Sequence, residues 1–263
     1  MEDCELVLLE RLTEGIAQIT LNSPPLNLIT TQMNRRLDAI LDAVSQDSTI
    51  RVVVIAGAGD KAFSAGADIK EFSAFVRAGT MVSEKLRLEC EVFNKLDALP
   101  QPTIAALHGI TMGGGIELAL CCDYRVLGEQ VKLAFPEIGL GLFPGSGGLV
   151  RLPRLIGRTK AKELMLFGDK ILARKALEFG LVNEVVPGAQ VLERAIERAK
   201  QLAALPGTSL RAIKQGIDDI CGMPVSQGIE YSLELMNQVL STPDAQEGVN
   251  AFLERREPKF NRR

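Results

Sequence analysis

An ordering constrains this chain more than any other feature. Short apolar strands broken by glycine-rich loops fill its first part, and helices alone fill the rest. Val7 to Leu12 and Ile16 to Leu21 read as strands joined by a tight turn at Thr13-Glu14-Gly15, hence a hairpin that Ser23-Pro24-Pro25 ends. Thr30 can cap a helix whose apolar positions are Met33, Leu37, Ile40, Leu41 and Val44. Val52 to Ile55 is a continuous apolar strand, followed by a glycine-rich loop from Ala56 to Asp68. A helix with Leu86, Cys90, Phe93 and Leu96 on one face precedes Pro100. Thr103 to Leu107 is another buried strand, and Gly113-Gly114-Gly115 then opens a helix to Cys122. Tyr124 to Leu127 and Lys132 to Ala134 read as short strands before a second glycine-rich loop, Gly139 to Gly148.

Beyond that loop, Thr159–Phe167, Ala173–Phe179, Val191–Leu205, Leu210–Ile220, Ile229–Leu240 and Ala245–Arg255 all carry helical patterns. Strand–strand–helix units followed by helices predict an α/β core with a helical C-terminal region. Pro206-Gly207 marks the expected boundary, dividing 1–206 from 207–263.

Composition narrows the function classes. With 263 residues, 46% hydrophobic and 24% charged, the chain can bury a large core. Lys+Arg 30 against Asp+Glu 33 leaves no basic excess for nucleic-acid phosphates. No apolar run reaches the ~18 residues of a membrane span. The acidic Met1-Glu2-Asp3-Cys4 does not read as a signal or transit peptide, and Phe260-Asn261-Arg262-Arg263 is no retention signal. The expectation is a soluble, cytoplasmic protein. Cys4, Cys90, Cys121, Cys122 and Cys221 form no C-x-x-C and are expected to be reduced, mostly core-facing thiols. A single histidine, His108, rules out a histidine-rich metal site.

Two motifs mislead. Gly57-Ala58-Gly59-Asp60-Lys61-Ala62 follows a strand as a dinucleotide fingerprint does, but Phe63 to Asp68 continues as loop where a helix must open. Ser146 lies in Gly145-Ser146-Gly147, yet G-x-S-x-G is absent and His108 comes in the reverse of the α/β-hydrolase order. His108 is expected to be structural.

The Gly113–Asp123 segment is more informative. Three glycines at a strand-to-helix junction let backbone approach a ligand, and the first amides of a helix are unpaired and partly positive. Such amides suit an oxygen that becomes negative during a reaction. Glu117 follows among Ile116, Leu118, Ala119 and Leu120, and reads equally as a dipole-complementing carboxylate or as a functional one. Glu137 sits in an apolar Pro/Gly-rich loop, where by itself it reads as a strand cap. Together, two isolated carboxylates beside glycine-rich backbone point to shared proton work.

The segments Phe63–Lys70, Gly113–Asp123 and Pro136–Gly148 resemble the crotonase (enoyl-CoA hydratase/isomerase) superfamily. The likeness extends to Gly168-Asp169, to Ala176–Pro187, and to Glu247-Gly248 through Arg256, nearly the whole chain. It implies a spiral of strand–strand–helix turns with a helical trimerisation region, a homotrimer or dimer of trimers, and an acyl-CoA thioester substrate. It implies an oxyanion hole from the N–H groups of Ala67 and Gly114, with Glu117 activating water for C3 and Glu137 handling the proton at C2. Leu26, Ala65, Asp68 and Ile69 would meet the CoA thioester, mainly through backbone, and Phe260 would help close an acyl pocket. No metal and no cofactor beyond the substrate's own coenzyme A is implied.

The expected reaction is hydration of a 2-trans-enoyl-CoA, with enoyl-CoA isomerisation or another acyl-CoA reaction as the alternative. Two departures bear on CoA and acyl binding: Gly147–Arg151 lacks the usual Thr-Gln pair, and Asn22–Asn27 lacks a Lys or Arg. Some relatives bind RNA through a lysine-rich helix, whereas Met33–Asp42 has mixed charge.

Overall fold

A computed structural model describes residues 5–260. Cys4 and the last three residues therefore lie outside the described part. Strands β1 (Val7–Arg11) and β2 (Ile16–Leu21) form the expected antiparallel hairpin, and α1 (Thr31–Gln46) begins at Thr30, whose hydroxyl accepts the Met33 N–H at 3.1 Å. Then β3 (Val52–Gly57) and β4 (Ala62–Ser64) lead to α2 (Ile69–Ala78), a π-helical turn (Met81–Leu86) and α3 (Arg87–Asp97). The next turn is β5 (Thr103–Leu107), β6 (Ile110–Met112) and α4 (Gly114–Ala119). A third comprises β7 (Tyr124–Gly128), β8 (Lys132–Ala134), a 3₁₀ turn (Pro136–Leu140), α5 (Gly148–Ile156) and α6 (Arg158–Phe167). After α7 (Ala173–Glu178) and β9 (Glu184–Val186), only helices follow: α8 (Val191–Ala203), α9 (Gly207–Ile220), α10 (Val225–Leu240) and α11 (Pro243–Glu254).

The spiral arises because each turn sends its two strands to different sheets. The first strand of each pair enters a six-stranded sheet of order β1-β2-β3-β5-β7-β9, parallel except for the hairpin. The second, shorter strand enters a parallel three-stranded sheet of order β4-β6-β8. Side chains of β3 alternate: Val53 and Ile55 face the main core, while Val52, Val54 and Ala56 face α8. Because α8 offers Val191, Ala195, Ala199 and Ala203 at four-residue spacing, it packs closely against the sheet. A strand buried on both faces reads as a continuous apolar run, as Val52 to Ile55 does.

Several elements depart from the sequence expectations. The stretch from Ala56 to Asp68 contains β4, and β6 and β9 are strands that three-residue runs did not reveal. The second glycine-rich loop ends in α5, which keeps Pro153 near its last turn. Across the π-helical turn and α3 the buried line runs through Lys85, Glu89, Val92, Phe93 and Leu96, while Leu86 and Cys90 are only half-buried. Of the described cysteines, Cys121 and Cys122 are buried, Cys90 is half-buried and Cys221 is exposed; all four are free thiols. Thus only part of the core-facing expectation holds.

The expected boundary falls in the turn between α8 and α9. Arg51 holds that turn to the body, donating to the carbonyls of Ala203 at 2.9 Å and Leu205 at 2.6 Å. Lys214 ties α9 to Asp123 at 2.9 Å. Among the described residues no helix is long and apolar enough to cross a membrane.

Candidate active site

The site lies where β4, β6 and β8 end against the start of α4. Gly113 adopts φ +51°, and a Cβ there would lie 2.6 Å from Oε1 of Glu137. A Cβ on Gly115 would lie 2.3 Å from the Ser64 carbonyl oxygen, so only glycine lets α4 press on β4 this closely. These contacts explain two of the three glycines as steric requirements.

The third, Gly114, faces the loop after β4. Its N–H and that of Ala67 have no acceptor among the described residues, and a Cβ on Gly114 would sit 3.9 Å from the Ala67 nitrogen. The two donors are thus neighbours. The strand-like bridge of Ile29 to Ala67 holds the second one: the Ile29 N–H donates to Gly66 O at 2.8 Å, and the Asp68 N–H to Ile29 O at 3.4 Å.

Glu117, on the first turn of α4, is 2% exposed. Its Oε1 accepts the Ser146 and Gly148 N–H groups at 2.8 and 2.7 Å, and its Oε2 accepts none among the described residues. Burial pushes its carboxyl up to about 8; the Gly148 and Ser146 amides pull it down, while Glu89 and Glu137 push it further up. Burial also raises Glu137, whose Oε2 is buried and without a partner among the described residues. The fold therefore brings the two carboxylates together and perturbs both in the same direction.

The remaining residues singled out from sequence fall into three groups. Leu26 and Ala65 are joined through backbone, the Ala65 N–H donating to Leu26 O at 2.9 Å. Asp68 caps α2, its Oδ1 accepting from Lys70 N at 2.8 Å and Glu71 N at 3.3 Å, and Ile69 is exposed at the first position of that helix. Phe260 packs against α11, where a Cβ on Gly248 would lie 3.5 Å from its ring; no described contact brings it to Glu117 or Glu137.

Sequence reading missed the polar frame behind the site. Asn27, fully buried, donates to Ala58 O at 3.0 Å and Ala62 O at 2.7 Å, and its own carbonyl accepts the Ser64 hydroxyl at 2.8 Å. Lys85 and Glu89, 1% and 2% exposed, were hidden by their charge, which ordinarily marks a solvated position. Their four-residue spacing to each other and to Phe93 was the available signal. Ser146 gives its hydroxyl to Glu89, and His108, just past β5, has a buried Nε2 without a partner among the described residues. The serine–histidine reading therefore finds no support here.

Comparison with known proteins agrees with this architecture. The family model described as "Enoyl-CoA hydratase/isomerase" matches residues 11–263. The short-chain-enoyl-CoA hydratase of Clostridium acetobutylicum is 34% identical over 95% of this chain and 95% of its own. The 2,3-dehydroadipyl-CoA hydratase of Escherichia coli is 35% identical over 95% and 96%. A crystal structure of enoyl-CoA hydratase from Bacillus anthracis superposes with a TM-score of 0.91 at 35% identity, covering 98% of this chain and all of that one. The fold is thus that of the crotonase class of enzymes. This chain belongs to the enoyl-CoA hydratase/isomerase family.

Proposed function

We propose that this chain is an enoyl-CoA hydratase, catalysing reversible syn addition of water to a 2-trans-enoyl-CoA to give a 3-hydroxyacyl-CoA. The observation that carries this reading is the asymmetric pair of carboxylates. Glu117 is fixed through one oxygen and keeps the other free, while Glu137 reaches over Gly113 with a buried, unpartnered oxygen. Hydration needs two such groups. Glu117 takes a proton from the water whose oxygen bonds to C3, and Glu137 gives a proton to C2. One proton shared between two interacting carboxyls suffices for either direction.

The Ala67 and Gly114 N–H groups would receive the thioester oxygen as negative charge develops on it. Leu26, Ala65, Asp68 and Ile69 would meet the CoA thioester, mainly through backbone. These proton transfers call on no metal or redox cofactor; coenzyme A enters as part of the substrate. Relatives named for short-chain enoyl-CoA and for 2,3-dehydroadipyl-CoA are about equally similar, so similarity alone selects no acyl chain.

Isomerisation would require only Glu137 and the paired N–H groups, and its unpartnered oxygen is what favours that second reading. RNA binding has less support: on α1, Arg36 pairs with Glu5 at 2.8 Å, and Asp38 and Asp42 both pair with Lys95. Self-association is supported by apolar side chains left exposed on α9–α11, among them Ile217, Val225, Leu240 and Phe252. Acyl-CoA panels with products resolved as hydroxyacyl or shifted-alkene species decide between hydration and isomerisation.

A further inference from the structure

Behind Glu117 lies a buried chain of polar groups that the proposed reaction does not itself use. The Ser146 hydroxyl donates to Glu89 Oε1 at 2.5 Å, and the Asn34 amide donates to Glu89 Oε2 at 3.2 Å. Lys85 Nζ lies 3.6 Å from the same Oε2, 3.0 Å from Glu71 Oε2, and donates to Ile29 O at 3.2 Å. Five separate elements supply these side chains: Asn34 from α1, Glu71 from α2, Lys85 from the π-helical turn, Glu89 from α3, and Ser146 from the loop before α5.

We propose that Glu89 is a positioning residue for Glu117, acting through Ser146. The same residue, Ser146, gives its side chain to Glu89 and its backbone N–H to Glu117. Anchoring the hydroxyl fixes the peptide whose amide, with that of Gly148, pins Glu117 Oε1 and leaves Oε2 for a water. Glu89 thereby reaches the reaction without touching substrate. Lys85 extends the frame to the second half of the site, since Ile29 carries the segment that presents the Ala67 N–H. An ion pair this deep gains little over apolar side chains of the same volume, because desolvation offsets its attraction. Fixed geometry between two loops is what apolar residues could not provide there.

This inference rests on Glu117 being the water-activating base. Facing Glu117 are Glu89 and Cys90 from α3, Glu137 from the 3₁₀ turn, Cys121 just past α4, and Arg151 of α5 close to Cys90 and Cys121. Two substitutions in the full-length chain therefore pull in opposite directions. Ser146→Ala loosens the amides that favour ionised Glu117, so the acid limb of kcat/KM for crotonyl-CoA should move to higher pH. Its kcat should fall about tenfold or more, with KM within about twofold, the pattern of a misplaced catalytic group. Glu89→Gln removes a like charge, so the same limb should move to lower pH.

Folding is checked by circular dichroism, and if Glu89→Gln does not fold, Ser146→Ala decides alone. Folded variants that lose only thermal stability, with kcat and the acid limb as in wild type, overturn the proposal. Glu117→Gln separates the two layers. If it retains hydration, the hydratase reading itself fails. If it is inactive while Ser146→Ala matches wild type, only the positioning role fails.

Discussion

Glu137 occupies the space that a Cβ on Gly113 would need, its Oε1 lying 2.6 Å from that position. The helix-opening glycine and the second carboxylate are therefore one structural unit, although the loop carrying Glu137 comes only after two further strands. Gly113→Ala must displace Glu137 as well as strain a backbone at φ +51°. A folded Gly113→Ala variant is expected to lose about 10²-fold in crotonyl-CoA hydration, the scale of a misplaced acid–base group. Activity near wild type would show that Glu137 need not sit there.

Glu117→Gln and Glu137→Gln keep size and hydrogen bonding but remove the basic carboxylate. Each is expected to lower crotonyl-CoA hydration by at least ~10²-fold, followed as loss of enoyl-thioester absorbance. The double variant should be little worse than the worse single, because the pair acts as a unit. Should only Glu137→Gln be inactive while wild type shifts 3-enoyl-CoA faster than it hydrates 2-enoyl-CoA, the enzyme is an isomerase.

Gly114→Pro deletes one of the paired N–H donors at the first helical position, where proline is tolerated. A loss of about 10²-fold or more in kcat is expected, the usual scale for one oxyanion donor. Circular dichroism establishes folding, and a folded, fully active variant rules out this hole.

Glu117 also links stability to pH. With its carboxyl raised from 4.5 to about 8 by burial, the folded chain holds a proton that the unfolded chain releases. Its contribution is fully present below about 4.5 and is lost as pH rises through about 8. Glu117→Gln never has to ionise, so its Tm relative to wild type should climb across that window. A Tm difference independent of pH would mean that Glu117 is ionised at little cost in the fold.

Self-association predicts a trimer or hexamer mass by light scattering at micromolar concentration. Phe252, 83% exposed on α11, is a suitable site to test the surface: Phe252→Asp should lower the mass if that face is buried in the assembly. A wild-type monomer would refute the expectation outright.

Local pattern determined much of this protein. The hairpin at Thr13–Gly15, the Thr30 cap, the buried strands and the C-terminal helices follow from turn chemistry and from two- and fourfold periodicity, which need no partner to be read. The three glycines and two carboxylates were visible because such residues are uncommon beside apolar runs. Only the tertiary structure decided which sheet each strand entered, since β4, β6 and β8 are too short to show a period and depend on pairing with one another. It alone placed Glu137 over Gly113 and buried Lys85 and Glu89, because a charged side chain looks solvated until a partner from another element, here Ser146 or Asn34, stands beside it.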